Sequence, residues 1–295
     1  MRVLAMLLLG LADAKKSVTS ICDAPGWETT FQDDFSGDRL NASSWVAVNN
    51  LTHGTTEKQL YLSDDVLVRD GTLVIRTRKR HAWHGGVRYN FTSGWVESKS
   101  RRYQAYGRFE VTAKLPSPAA GRAGKWPTAW PAHWLMPEPS TSVPPNVCWP
   151  MGGEIDIMEG FRSREKGSGP TNNFSSVLLS YHWATECGKD LWQSKNMIWP
   201  RMEDHTTAVD WTSAFHRFAI DWSPKALTWL VDGTPRYTRT RDDPMPGFFI
   251  PSNPMYMILN TALTPWADAE LDSGLPLEHV IDQVRWCQPR SPEEI

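Results

Sequence analysis

The feature that most constrains this chain is its punctuation. Apolar stretches are short and are closed off by Gly, Pro and Asp at close intervals. Phe109, Val111, Ala113 and Leu115 alternate with polar residues, as they do when one face of a strand is buried. No stretch sustains a helical period. Strands are expected at Thr72–Arg78, Trp95–Ser100, Gly107–Leu115, Ala132–Met136, Glu154–Glu159, Val177–His182, Phe215–Trp222, Leu227–Val231, Met255–Asn260 and Val280–Trp286. Asp70-Gly71 and Asp232-Gly233 are turn signals, because tight hairpins need residues that tolerate positive φ. Many strands, few helices and frequent turns predict an all-β fold, a β-sandwich. No internal repeat and no Gly/Ser linker divides the series, so a single domain is expected over residues 21–295.

The N-terminus reads as a leader. Arg2 is followed by an apolar run, Val3 to Ala12, and then by small residues at Ala12-Asp13-Ala14. The run is too short to span a bilayer, and Lys15-Lys16 immediately after it disfavours a buried strand. Residues 1–20 are therefore assigned to a signal peptide and the mature protein to the extracellular space. The four cysteines form an even set, which suits an oxidising compartment. Three pairings are possible; the expected one joins Cys22 to Cys287 across the chain ends and Cys148 to Cys187 near the acidic strand described below. Free thiols are the alternative if there is no leader. Without Cys-x-x-Cys spacing, a zinc site is not expected. Asn41, Asn50, Asn90 and Asn173 each open an Asn-x-Ser/Thr sequon.

Composition narrows the partner. Net charge is −2, which favours neither nucleic acid nor an anionic membrane surface. The 16 Trp outnumber the 7 Tyr and the 10 Phe. Indole is an awkward core filler, since its N–H needs an acceptor. Some of these side chains must still fill the core, while a minority is expected to line a cleft, where flat apolar faces suit the C–H faces of sugar rings. Pro137 to Pro150 and Ser163 to Ser176 flank the acidic strand and read as cleft walls. Arg239 to Pro254 is a third long loop. The basic run Arg76 to Arg80 reads as a solvated strand end with no function assigned.

The chemistry is concentrated in Gly153-Glu154-Ile155-Asp156-Ile157-Met158-Glu159-Gly160. Alternate residues of a strand share a face, so Glu154 and Asp156 point together while Ile155 and Ile157 enter the core. Glu159 has the wrong parity, and one bulged residue near Ile157–Met158 returns it to the acidic face. Glycoside hydrolysis needs two such carboxyls, and retaining enzymes hold them about 5–5.5 Å apart. With the bulge, the Glu154 and Glu159 Cα atoms lie ~13 Å apart, a gap that leaning side chains can close. Asp156 between them can hydrogen-bond the attacking group, and crowded negative charge keeps one carboxyl protonated as the acid. Spacing alone does not say which Glu attacks. A solvent-exposed acidic face is the bland alternative; the flanking glycines and large apolar neighbours argue against it.

Glu-Ile-Asp-Ile-Met-Glu resembles the signature of glycoside hydrolase family 16. Tyr106-Gly107-Arg108-Phe109-Glu110, Trp130-Pro131-Ala132-His133-Trp134-Leu135, Phe215-His216-Arg217-Phe218 through Trp222, Val231-Asp232-Gly233, Ile258-Leu259-Asn260 and Val284-Arg285-Trp286 resemble its other strands. The resemblance covers roughly residues 26–288. It implies a jelly-roll sandwich of two antiparallel sheets with a concave glycan-binding cleft. It also implies Glu154 as nucleophile, Glu159 as acid/base and Asp156 as assisting acid. Trp130, Trp134, His182 and Trp266 are implied as substrate-binding, and Asp282 as a ligand of a structural calcium, with no cofactor for catalysis. The longer signature containing Met158 is similar to the laminarinase-like branch, although agarases and carrageenases share it. Two departures stand out. Thr55-Thr56 replaces Asn-Asn before Glu57-Lys58-Gln59-Leu60-Tyr61, and Trp95 stands near a position that is often cationic.

The function implied is that of a secreted monomeric endo-glycosidase acting on laminarin-like β-1,3-glucan, with mixed β-1,3/1,4-glucan as a second substrate and neither nucleic acid nor membrane as partner. The alternatives are a non-catalytic β-glucan receptor, which the intact Glu154 and Glu159 disfavour, and a transglycosylase on cell-wall glucan, which would use the same intermediate.

Overall fold

The structure is a computed structural model and describes residues 20–54, 57–116, 129–160, 177–187, 211–264 and 275–291. Its strands are β1 (Trp27–Asp33), β2 (Val46–Ala47), β3 (Gln59–Tyr61), β4 (Val66–Arg69), β5 (Thr72–His84), β6 (Val87–Ser93), β7 (Trp95–Glu97), β8 (Gly107–Lys114), β9 (Ala129–Pro137), β10 (Glu154–Gly160), β11 (Val177–His182), β12 (His216–Trp222), β13 (Ala226–Val231), β14 (Thr234–Thr240), β15 (Met255–Leu263) and β16 (Leu277–Pro289). Ten of them form one sheet, with order β14-β13-β12-β8-β16-β5-β6-β3 and with β1 and β4 paired to β16 and β5. The other six run β11-β10-β9-β15-β7-β2. Pairing is antiparallel except between β3 and β6, which run parallel. The fold is the expected jelly-roll sandwich with that one parallel edge.

Each expected strand is present, several of them longer than the apolar run that marked them. Asp70 and Gly71 (φ 52° and 67°) turn β4 into β5, and Asp232 and Gly233 (φ 51° and 77°) turn β13 into β14. Side chains from both sheets meet in one core. Phe109, Val111, Phe218, Ile220, Val284 and Trp286 come from the larger sheet; Leu135, Ile155, Ile157, Met158, Met257 and Leu259 come from the smaller. Residues of the opposite parity on the smaller sheet form a second cluster on its outer face, with Trp95, Trp134, Tyr256 and Ile258 at its centre beside Tyr61.

Both expected disulfides are formed, Cys22–Cys287 and Cys148–Cys187. Asn41, Asn50 and Asn90 are exposed, whereas Asn173 and nearly all of the assigned leader lie outside the described residues. Ser20 is described; its hydroxyl donates to the buried Glu110 carboxylate at 2.5 Å. The basic run departs from expectation. Arg76 and Arg78 lie inside β5, which continues to His84, and they approach the fully buried Asp65 at 3.5 and 2.6 Å. Neutralising that carboxylate is what places cations in mid-strand. No helix among the described residues is long and apolar enough to cross a membrane.

Candidate active site

The outer face of the smaller sheet is organised by one irregularity in β10. From Asp156 to Glu159 the strand advances three residues, while β9 advances two, from Trp134 to Ala132, and β11 advances two, from Ser180 to Leu178. One residue of β10 is therefore bulged out of register. Ile157 and Met158 both enter the core, and Glu159 returns to the face that carries Glu154 and Asp156. The parity problem in the sequence has this solution in space.

Each carboxyl has its own partners. Trp149 donates its indole N–H to Glu154 Oε2 at 2.5 Å, which brings the proline-rich loop between β9 and β10 to the site. Asp156 Oδ2 lies 3.1 Å from His182 Nε2 and accepts from the Ser180 hydroxyl at 2.9 Å. Trp130 donates its indole N–H to Glu159 Oε1 at 2.8 Å, and Ser180 Oγ is 3.2 Å from Glu159 Oε2. A hydroxyl carries one proton. Ser180 can donate to only one of its two carboxylate neighbours, and the contact with the other is satisfied when that neighbour is itself protonated. Asp156 faces the His182 cation, so the arrangement favours an ionised Asp156 and a protonated Glu159.

Electrostatics agree that the site retains protons. Burial, then the Asp156 carboxylate, pushes Glu154 up to about 8, with the His182 cation and the Trp149 N–H pulling the other way. Burial acts to lower His182, but the Asp156 bond and the surrounding carboxylates outweigh it and raise the ring to about 10. The carboxyls titrate as one cluster that gives up its last proton near pH 8. Replacing Trp149 with Phe removes a donor to the ionised form of Glu154, which draws the shared proton toward that carboxyl. The expected result is a kcat/KM about tenfold lower at neutral pH and an alkaline limb displaced upward, read from the pH–rate profile.

Trp134 lies opposite Asp156 and Ile258 in register and donates to Asn260 Oδ1 at 2.8 Å. Its ring meets Trp95 edge-on at 5.3 Å, and His53 packs against both. Glu57 Oε2 accepts from Gln59 and Tyr61 at 2.6 and 3.0 Å, while the Asn260 amide donates to the Tyr61 hydroxyl. Where a cation might stand, Trp95 supplies an indole that bonds Glu97 at 3.0 Å. Trp266, Thr55 and Thr56 lie outside the described residues. Of the expected site residues, Glu154, Asp156, Glu159, Trp130, Trp134 and His182 converge here.

Asp282 does not. It sits on β16 where the register slips between Ile281 and Gln283. The one group of three or more acidic, His or Cys side chains with metal-ligand spacing among the described residues is Glu154, Asp156 and His182. Calcium takes six to eight oxygens, and the described side chains around Asp282 do not supply a cage of carboxylates. Trp149, Ser180, Glu57 and Asn260 were not singled out in the sequence as site residues. Trp149 lay in a segment that could be recognised as a cleft wall, but nothing in its spacing marked its target.

A family profile described as "Glycosyl hydrolases family 16" matches residues 53–274. The β-glucanase of Rhodothermus marinus is 30% identical over 89% of this chain and 85% of its own length. The clotting factor G alpha subunit of Tachypleus tridentatus is 26% identical over 93% of this chain, which spans only 36% of that protein. Among solved structures, the endo-β-1,3-glucanase of Pyrococcus furiosus superposes with a TM-score of 0.68 at 25% identity, covering 89% of this chain and 94% of the other.

Proposed function

The chain belongs to glycosyl hydrolases family 16, and from that premise we propose that it is an endo-acting, retaining β-1,3-glucanase that also cuts mixed β-1,3/1,4-glucan. The observation that carries this reading is the bulge of β10, which gathers Glu154, Asp156 and Glu159 on one face with separate partners for each. Glu154 attacks the anomeric carbon. Glu159, held by Trp130 and Ser180, delivers its proton to the leaving glycosidic oxygen, then takes one from water as the glycosyl-enzyme is hydrolysed. Positive charge develops on the sugar ring next to Glu154 as the bond breaks. It favours the ionised form of Glu154, so the cluster's proton resides on Glu159 when it is needed. Asp156 and the cationic His182 beside it hold the face at a fixed charge between the two.

The aromatic patch of Trp95, Trp134 and His53 beside Glu57 and Asn260 supports a saccharide track, since apolar faces and hydrogen-bonding groups alternate there as they do on a sugar. Export of the protein, with residues 1–20 as leader, is supported by the two disulfides and the exposed sequons. The test is reducing-sugar release from laminarin, lichenan, xyloglucan, agarose and carrageenan. Release from laminarin, with a smaller yield from lichenan, is expected. Release from agarose or carrageenan alone would overturn the glucan assignment, and binding of laminarin with no release from any glycan would favour a receptor.

A further inference from the structure

The bulge that returns Glu159 to the catalytic face is held from the opposite sheet. The carbonyl of Asp156 occupies the last paired position before the register slips. It accepts a hydrogen bond of 2.8 Å from the indole N–H of Trp229, on β13 of the larger sheet. Both atoms are buried, and the bond crosses the core rather than running along the ladder. A bulge is a local choice among registers, and a strand of acidic and apolar residues could place its extra residue elsewhere, or relax to the regular pairing that turns Glu159 into the core. A donor fixed in the other sheet distinguishes among these states, because it meets the Asp156 carbonyl only when the chain kinks at that position.

We propose that Trp229 is a positioning residue for catalysis, its indole N–H pinning the β10 bulge so that Glu159 stands at working distance from Glu154. Trp229 is fully buried with its ring against Tyr237 at 5.3 Å, so it reaches the reaction only through the Asp156 backbone. The inference rests on the hydrolase reading above. The same larger sheet provides an internal control. Trp222, equally sequestered, donates its indole N–H to the Pro251 carbonyl at 2.9 Å, away from the acidic strand. Losing that N–H carries a comparable penalty for an unpaired buried carbonyl but leaves β10 untouched.

The experiment compares kcat, KM and the alkaline pH limb on laminarin for wild type, Trp229→Phe and Trp222→Phe. A displacement of about 1 Å at a catalytic group costs on the order of 100-fold. Trp229→Phe is therefore expected to lose ~10–100-fold in kcat with KM within about twofold, and its alkaline limb should shift as Glu159 leaves the cluster. Trp222→Phe should lower the melting temperature while keeping kcat and pH profile. Should Trp229→Phe fail to fold, 3-benzothienylalanine incorporated at position 229 keeps the ring's shape and replaces only the N–H by sulfur; the same kcat loss is expected. Wild-type kcat in a folded Trp229 variant, or equal kcat losses in both Phe variants, would overturn the inference. An inactive wild type would instead strike the hydrolase reading.

Discussion

Glu154→Gln is expected to reduce turnover of laminarin by at least ~1,000-fold while laminarin binding stays within a few-fold of wild type. The amide keeps the shape of the carboxyl and an oxygen to accept the Trp149 N–H, so the strand and the loop that covers it have no reason to move. It has no negative oxygen with which to attack the anomeric carbon, and it offers the developing positive charge only a dipole. Glu159→Gln fails differently. Glu154 can still attack when the leaving group needs no proton, so an aryl glycoside with an acidic phenol should retain far more of its rate than the polysaccharide does. The two profiles together separate nucleophile from acid. Full laminarin activity in Glu154→Gln would sink the mechanism, and equal losses on both substrates in Glu159→Gln would remove the role assigned to that residue.

The legibility of this site in the sequence follows from where each constraint resides. The two Glu five residues apart state a parity conflict, and only an extra residue between them resolves it; the structure puts the slip between Asp156 and Glu159. Strands β8 and β15 could be read because one or both faces are buried, as in the unbroken burial of Met255–Leu263. Strands β1 and β14 were missed because most of their residues meet solvent, and their sequences, Trp-Glu-Thr-Thr-Phe-Gln-Asp and Thr-Pro-Arg-Tyr-Thr-Arg-Thr, carry no apolar face. Their places are set by β16 and β13, which offer an open ladder. Partners distant in sequence were invisible for the same reason. Trp229 lies 73 residues from the carbonyl it holds, and Asn260 lies 199 from the hydroxyl it meets. No local pattern encodes a pair brought together by two sheets closing. A calcium ligand at Asp282 rested on likeness of position alone, without the surrounding oxygens such an ion needs.

Stability is expected to peak near pH 6.5 and to fall on both sides for different reasons. Between the sheets, His133 of β9 and His279 of β16 meet with Nε2 atoms 2.9 Å apart, both fully buried. His279 also touches the Thr261 hydroxyl at 3.3 Å, and the Phe218 ring packs on His133. His133 Nδ1 has no hydrogen-bond partner among the described residues. Burial lowers His279 to about 3 and drives His133 well below its ordinary value of 6.5. Below pH 6.5 the unfolded chain therefore binds two protons that the folded one refuses, and acid favours unfolding. Glu154 opposes this: raised to about 8, it already holds in the folded state a proton that the unfolded chain takes up only near 4.5. From pH 6.5 to 4.5 the net is one proton, a loss of ~1.4 kcal/mol per pH unit. From pH 6.5 to 8, Glu154 and His182 both keep protons that the unfolded chain has shed, so stability falls as pH rises by ~2.7 kcal/mol per unit. The lowered carboxyls Asp23, Asp64, Glu138 and Asp232 act only below their ordinary values of 3.8 to 4.5. Replacing both histidines by leucine removes the polar pair together, a change of similar volume that leaves neither ring nitrogen stranded. In that double variant the acid slope should reverse, with stability rising by ~1.4 kcal/mol per unit from pH 6.5 down to 4.5 because Glu154 alone remains. Urea unfolding at half-unit pH steps reads the sign directly. An unchanged falling slope in the double variant would show that the buried pair is not what acid attacks.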